Sequence, residues 1–249
     1  MANATRRERL RAAQQAQQRR RRTRMMAAVG VGVGAVLAIG VMIWLAIGGS
    51  GNGQPAANRP PNATAAGDGI VSNPGKAAAG APVVNVYSDY LCSHCVQFED
   101  TFGFALSDLA SRGEIQLIAN TKVFLDRGNN EGLSHKAAMA ASCADVAGVY
   151  DAYRQGIFAA AASGPYTDDL FRVQLPQRTG IAGDALTRFQ SCYDNKTMLS
   201  WVNGVEEASS KAGVNSTPAM KINGKDVDLG TLPDDASKLK QFILDAAKA

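Results

Sequence analysis

Two cysteines three positions apart, Cys92 and Cys95, stand where a predicted strand gives way to a predicted helix. The strand is the β-branched run APVVNVY (81–87), bounded by a proline and by polar residues. The helix that follows has apolar residues at three- and four-residue steps, and Gly113 ends it. A strand that leads directly into a C-x-x-C motif at a helix N-terminus constrains the fold more than any other feature of this chain.

The two sulfurs are predicted to differ in exposure and reactivity. The free N–H groups at the helix N-terminus favour a thiolate at Cys92, whereas Cys95 falls on the apolar stripe and is expected to be buried. Residues three apart on a helix have Cα atoms about 5–6 Å apart, so a disulfide can join them. His94, between the cysteines, can donate a hydrogen bond or positive charge to the thiolate. That would stabilise the reduced form and make the disulfide a stronger oxidant.

Three other interpretations of the motif compete with redox exchange. A structural zinc site needs about four ligands, and outside the motif the chain offers only Cys143, Cys192 and His135, none in a second close pair. A purely structural disulfide within the motif closes a loop too short to stabilise the fold much. His94 can also be an incidental polar residue of the surface.

The chain after the motif alternates between strand-like and helix-like patterns. Residues 114–125 predict a second strand, and the chain from about 133 to 213 is alanine-rich and predominantly helical. Residues 218–222 and 225–229 flank an Asn-Gly pair and predict a β-hairpin. Pro233 and the acids after it open a final helix. This order predicts an α/β sheet with a helical insertion.

The run VVNVYSDYLCSHCVQFE, together with GVNSTPAMKINGK, resembles the DsbA-type branch of the thioredoxin-fold thiol:disulfide oxidoreductases. The resemblance covers about 82–249 and implies a thioredoxin-like fold with its helical insertion at about 130–213. It also implies that the Thr217-Pro218 bond is cis, and that both residues border Cys92 and help to hold the substrate chain. Local sequence alone favours a trans proline that ends the preceding helix, because most X-Pro bonds are trans.

The chain departs from this resemblance at two positions. Many relatives have proline after the first cysteine, where this chain has Ser93. Thioredoxin-like relatives often carry a buried acid six positions before that cysteine, where this chain has Val86. Asp89 is the nearest acid to the motif. These departures affect two properties, the route of proton transfer to the buried thiol and the redox potential.

Two further cysteines, Cys143 and Cys192, fall in the helical block. Outside the cytoplasm, a structural disulfide between them closes a loop of about fifty residues and contributes about 4 kcal/mol on the chain-entropy model. A second redox relay and two free buried thiols are the alternatives. His135, on the same predicted helix as Cys143, is expected to be a cap or a satisfied surface residue rather than a catalytic group.

Residues 25–47 form a run of 23 residues without a charge. As a helix that rises about 1.5 Å per residue, this run covers the roughly 30 Å hydrocarbon core of a bilayer, so we predict a transmembrane anchor. A cleaved signal peptide is the alternative, although its apolar region is normally about 7–15 residues long. The first 24 residues carry nine arginines and one acid. By the positive-inside rule this tail lies in the cytoplasm and the downstream domain outside.

The positive charge of the chain is confined to this tail. The formal net charge of the whole chain is +4 and that of the tail is +8, so the other 225 residues carry −4. This distribution argues against a nucleic-acid-binding domain. Residues 48–81 are rich in Gly, Ala, Asn and Pro and predict a flexible linker. We therefore expect a basic cytoplasmic tail (1–24), an anchor (25–47), a linker (48–81) and an outer thioredoxin-like domain (82–249).

The leading hypothesis is a single-pass enzyme of the cell membrane that donates its Cys92–Cys95 disulfide to the thiols of secreted proteins. The resemblance suggests re-oxidation by a membrane oxidase of the DsbB or VKOR type, and the anchor would raise the effective concentration at that partner. No cofactor and no metal ion are expected. A reductase or cytochrome-maturation thiol donor on the same fold is the first alternative, and a non-catalytic scaffold or metal-binding module is the second. An isomerase is disfavoured because the sequence has no separate dimerisation domain.

Overall fold

The structure is a computed structural model that describes residues 58–248. Its centre is a five-stranded mixed sheet in the order β1-β3-β2-β4-β5. The strands are β1 (Ile70–Val71), β2 (Val83–Ser88), β3 (Gln116–Thr121), β4 (Ala219–Ile222) and β5 (Lys225–Val227). β2 and β3 are parallel, and the other strand pairs are antiparallel.

One helical run follows β2 and leads to β3. It consists of α1 (Ser93–Phe98), a π-helical turn (Glu99–Gly103) and α2 (Phe104–Ser111). The helical block between β3 and β4 contains α3 (Leu133–Val146), α4 (Tyr150–Ala160), α5 (Leu175–Arg178), α6 (Gly183–Asp194) and α7 (Leu199–Lys211), and α8 (Leu239–Ala246) follows the hairpin. Shorter helical turns lie at Phe124–Asp126, Ala161–Ser163, Leu170–Gln174, Leu229–Thr231 and Ala236–Lys238. The predicted order of strand, helix, strand, helical block, hairpin and helix is confirmed.

Two apolar cores stabilise this arrangement. In one, sheet residues such as Val84 and Met220 pack against the run α1–α2 and against α8. The other fills the helical block and includes Cys95. Each large apolar side chain that is fully buried contributes about 1.5–3 kcal/mol relative to exposure. The motif helix therefore packs into both cores, through Phe98 on the sheet side and through Cys95 on the side of the helical block.

Residues 58–81, which composition predicts to be flexible linker, are packed against the domain. β1 pairs antiparallel with β3, with Ile70 opposite Ala119. An isolated bridge joins Ala63 to Ile70, so the chain forms a small hairpin before it enters the sheet. Ile70 is buried in the core of the helical block. The folded domain thus begins earlier than the expected boundary at 82.

Two contacts explain why this glycine- and asparagine-rich segment is ordered. A Cβ on Gly69 would lie 2.7 Å from Cγ2 of Ile118. Glycine at this position therefore lets the backbone pack closely against β3, and it does not indicate flexibility. The backbone N–H and the side-chain amide of Asn62 both donate to the Asp145 carboxylate, at 2.9 and 2.8 Å. The linker prediction used only the residue types of this segment, and composition does not reveal such long-range contacts.

The Asn-Gly hairpin is confirmed, because β4 and β5 pair and Asn223 and Gly224 have φ of 49° and 81°. The strand predicted over 114–125 corresponds to β3 and is shorter than predicted. It ends at Thr121, and the ammonium group of Lys122 then lies buried, 2.8 Å from Glu206 Oε1. The last helix starts at Leu239 instead of near residue 234, after a short helical turn (Ala236–Lys238).

The predicted cytoplasmic tail (1–24), the predicted anchor (25–47) and the first part of the predicted linker lie outside the described residues. Among residues 58–248, no helix is both long and apolar enough to cross a membrane. The anchor is therefore a prediction from the sequence alone.

Candidate active site

Cys92 is the N-cap residue of α1. Its backbone is extended, with φ −78° and ψ 116°. Its N–H donates to the carbonyl oxygen of Asp89 at 3.0 Å, and its own carbonyl accepts from the N–H of Val96 at 3.0 Å. No side chain in the described part of the chain caps this helix end. The first motif sulfur therefore sits at the helix N-terminus, where the sequence placed it.

The two motif cysteines differ in exposure, and both are free thiols in the structure. Cys92 is half-buried, whereas Cys95 has 0% of its surface exposed. Ser93 and His94 between them are exposed. Within the described residues the His94 ring has no hydrogen-bond partner, so the predicted contact with the Cys92 sulfur is not formed in this dithiol state.

Burial raises the pKa of the Cys95 thiol to about 12. Desolvation is the largest cause, because the charged form would lie in an apolar core, and the neighbouring Cys92 adds to the shift. Reduced Cys95 is therefore a neutral thiol at physiological pH. The pair combines one accessible sulfur with one that is enclosed and protonated.

The loop that contains Thr217 and Pro218 lies against the motif. The Thr217-Pro218 peptide bond is cis, as the resemblance implied and contrary to the expectation from local sequence. The Cys92 thiol donates to the carbonyl oxygen of Thr217 at 3.5 Å. The strand register explains why this loop lies close to Cys92. Ala219, the residue after Pro218, pairs with Tyr87 near the end of β2. The Thr217 hydroxyl is buried and has no hydrogen-bond partner among the described residues.

An apolar groove of about 490 Å³ borders the motif, and none of the residues that line it within 58–248 is charged. Its walls come from the motif loop and α1 on one side and from the helical block on the other: Tyr90, Leu91, Ser93, Val96, Gln97, Leu133, Ala161, Gly164, Pro165 and Tyr166. Leu91, directly before Cys92, is 38% exposed. Such a groove suits apolar side chains of an extended peptide. Sequence reasoning missed it, although an apolar residue at the end of a polar loop was a visible signal.

The structure bonds Cys143 to Cys192, which joins α3 to α6 with a Cα–Cα distance of 5.9 Å. Neither cysteine is then free to complete a zinc site with the motif. His135 was expected at the surface or as a cap, but it is buried. Its Nδ1 lies 2.8 Å from Asp126 Oδ2 and its Nε2 lies 3.1 Å from Asn203 Oδ1. Both ring nitrogens thus have partners inside the domain, which indicates a structural role.

The chain belongs to the thioredoxin family, because residues 74–243 match the family model described as Thioredoxin. Its fold is similar to that of MdbA, a thiol-disulfide oxidoreductase from Actinomyces oris, with a TM-score of 0.63 and 20% identity over 76% of this chain and 92% of that one. MdbA from Corynebacterium diphtheriae gives a TM-score of 0.60 and 19% identity over 78% and 96%. Reduced DsbA from Mycobacterium tuberculosis gives 0.54 and 21% over 73% and 98%. No curated protein matches the chain.

Proposed function

We propose that the protein is a thiol:disulfide oxidoreductase that donates a Cys92–Cys95 disulfide to the thiols of secreted proteins. One observation carries the proposal: in a C-x-x-C pair at a helix N-terminus, Cys92 is half-buried beside the cis-proline loop and Cys95 is fully buried. Membership of the thioredoxin family supports the redox use of the motif. So does the similarity in fold to proteins described as thiol-disulfide oxidoreductases.

The reaction is a pair of thiol–disulfide exchanges. A substrate thiolate attacks Sγ of Cys92, the bond between Cys92 and Cys95 breaks, and Cys95 leaves as a thiolate that takes up a proton. A second thiolate of the same substrate then attacks the substrate sulfur of the mixed disulfide and releases Cys92. The substrate loses two electrons as its disulfide forms, and the motif gains them as it becomes a dithiol.

The raised pKa of Cys95 slows two opposite steps, its departure as a leaving group from the motif disulfide and its return attack on the mixed disulfide. Only a thiolate attacks a disulfide, and at neutral pH Cys95 is overwhelmingly the neutral thiol because its pKa is about 12. Return attack by Cys95 on the mixed disulfide is therefore slow. The second substrate thiol has time to complete the substrate disulfide.

The groove beside Cys92 supports a protein substrate. An extended substrate segment can place apolar side chains between Leu91 and Tyr166, while the backbone of Thr217 faces the reacting sulfur. Because the groove has no charged lining, it would select apolar character rather than a particular sequence. Proteins that have not yet folded expose such segments.

We further propose that residues 25–47 anchor the protein in the cell membrane with the catalytic domain outside. The uncharged run of 23 residues and the arginine-rich segment before it support this topology. A membrane oxidase of the DsbB or VKOR type would then return the motif to the disulfide. The anchor would hold the domain close to that partner.

The direction of electron flow is tested by equilibrating the protein in glutathione buffers of graded ratio and measuring the mass of the Cys92–Cys95 peptide. An oxidase pair is reduced in a buffer as reducing as the cytosol. In a separate reaction without glutathione, its disulfide form oxidises a reduced secreted protein. A pair that stays oxidised in that buffer supports the reductase alternative. A wild-type pair that never exchanges with glutathione supports the non-catalytic alternative. Cys92→Ser and Cys95→Ser serve as controls for the assignment of the peptide.

A further inference from the structure

We propose that Asp89 is a positioning residue, which ties the loop carrying Cys92 to the helical block and thereby sets the rate of disulfide transfer. The inference rests on the proposed function. Asp89 directly follows β2 and has 0% of its surface exposed. The sequence identified it only as the nearest acid to the motif, and the exchange reaction does not use its carboxylate.

Three neutral donors hold this carboxylate. Oδ1 accepts from the N–H of Leu91 at 2.9 Å and from the hydroxyl of Ser134 at 2.6 Å. Oδ2 accepts from the N–H of Leu125 at 3.2 Å. The backbone carbonyl of the same residue accepts from the N–H of Cys92 at 3.0 Å. Asp89 thus contacts the motif loop, the turn after β3 and the first turn of α3.

A buried carboxylate whose hydrogen-bond partners among residues 58–248 are all neutral destabilises the fold. Removing a charge from water without an opposite charge costs stability, and burial accordingly raises the pKa of Asp89. A small neutral side chain would avoid this cost. What the carboxylate supplies is geometry, because two acceptor oxygens can hold three donors from three separate segments.

The geometry matters because the same contacts set both walls of the groove. Leu91, held by Asp89, forms one wall, and Leu133, next to Ser134, forms part of the other. A second hydrogen bond also joins the motif loop to the helical block, since the hydroxyl of Tyr166 donates to the carbonyl oxygen of Tyr90 at 3.1 Å. Small misplacement of a reacting group slows a reaction sharply, so loosening the Asp89 contacts should slow transfer from Cys92.

The test compares Asp89→Asn with Asp145→Asn in the full chain. Asp145 is a matched control, because it too is buried, has a pKa raised by burial, and accepts from a backbone N–H and a side-chain donor. It lies near the C-terminal end of α3, whereas Ser134 is at the other end. Two rates are measured well below the unfolding temperature: the rate at which a reduced model protein is oxidised, and the rate of Cys92 alkylation as a function of pH. We expect Asp89→Asn to slow both about tenfold, and Asp145→Asn to stay within about twofold of wild type.

A milder variant keeps the proposal falsifiable if Asp89→Asn does not fold. Ser134→Ala removes one neutral donor and should slow oxidation about threefold, roughly the loss of one hydrogen bond. Wild-type rates in a folded Asp89→Asn, or in Ser134→Ala when Asp89→Asn does not fold, would overturn the proposal. Faster alkylation of Cys92 in Asp89→Asn would also overturn it, since it would mean that the negative charge, not the position, is what matters. If wild type itself oxidises no substrate, the proposed function fails instead.

Discussion

The two motif cysteines share one helix turn and differ because that helix directs them to different surroundings. Cys95 packs into the core of the helical block, and Cys92 remains half-buried beside the loop of Thr217. Chemical reactivity therefore separates into two roles. In the proposed function, Cys92 exchanges disulfides with other proteins and Cys95 closes the internal disulfide.

Alkylation of the reduced protein should label only one motif sulfur. At pH 8 and low reagent concentration, we expect iodoacetamide to modify Cys92 and to leave Cys95 unmodified, because Cys95 is enclosed and its pKa is about 12. Peptide mass mapping measures the two sites separately. Cys92→Ser should then take up almost no label until denaturant is added. Equal labelling of both cysteines in the folded protein would contradict the assignment of roles.

The buried thiol also predicts how the stability of the reduced protein depends on pH. Below pH 9, near the ordinary pKa of 9.0 for this thiol, Cys95 is protonated in both folded and unfolded chains. Between about pH 9 and 12 the unfolded chain loses this proton and the folded chain keeps it, so the free energy of unfolding falls as pH rises.

The comparison that isolates this effect is Cys95→Ala, measured by urea unfolding at graded pH. Its stability should decline less steeply than that of reduced wild type above pH 9. Tyr87 and Tyr150, whose pKa values burial raises to about 12, contribute equally to both curves. Parallel curves for the two proteins would show that Cys95 does not titrate as described.

At the scale of elements, the helix that carries the motif is held by a buried ion pair at its π-helical turn. An oxygen of Glu99 in this turn accepts from the guanidinium of Arg154 in α4, and both side chains are buried. Gly103 makes room for this carboxylate, since a Cβ there would lie 2.5 Å from Glu99 Oε2. The turn thus joins the motif helix to the helical block.

Gly103→Ala tests this packing, because the change in the free energy of unfolding has opposite signs with and without it. Gly103 has helical backbone angles, so helix propensity alone would make alanine more stable by about 1 kcal/mol. We expect the opposite, a loss of about 1–3 kcal/mol, because the added methyl displaces Glu99 from Arg154. Urea unfolding gives the value. Gly156→Ala in α4 is the control, since its Cβ would meet only the end of the Leu175 side chain. A stabilised Gly103→Ala would refute the packing.

The elements show what could be predicted from sequence and why some of it could not. The strand, the motif helix and the Asn-Gly hairpin follow from local patterns of two to twenty residues, and the structure has all three. Residues 58–81 were predicted to be linker because their order depends on distant partners such as Asp145 and β3. The contacts of Asp89 with Ser134 and Leu125 also join distant positions, and local sequence does not reveal them. Local sequence also favoured a trans bond before Pro218, whereas the resemblance pointed to the cis form that the structure has.

At the scale of the whole molecule, the disulfide between Cys143 and Cys192 closes the helical block. It links residues 49 apart in sequence and joins α3 to α6, away from the segment of α3 that contacts Asp89. A structural disulfide is in keeping with the proposed location outside the cytoplasm, where such bonds persist. It indicates a stabilising rather than a catalytic use of the second cysteine pair.

Removing this disulfide should lower stability and leave redox chemistry unchanged. For the double variant Cys143→Ser with Cys192→Ser, we expect the free energy of unfolding to fall by about 4 kcal/mol, the chain-entropy value for a loop of about fifty residues. Urea unfolding measures the loss. The glutathione equilibrium of the motif should match wild type. A shift in that equilibrium would instead favour a relay between the two cysteine pairs.

The proposed function requires substrate proteins to bond covalently to Cys92 and to no other sulfur of this protein. Trapping tests it most directly: Cys95→Ser and Cys92→Ser are each incubated with a secreted protein activated at one cysteine as a mixed disulfide. The complexes are then mapped by mass spectrometry. We predict a stable complex through Cys92 in Cys95→Ser and none in Cys92→Ser. A complex through Cys95 in Cys92→Ser, or no complex in either variant, would contradict the account.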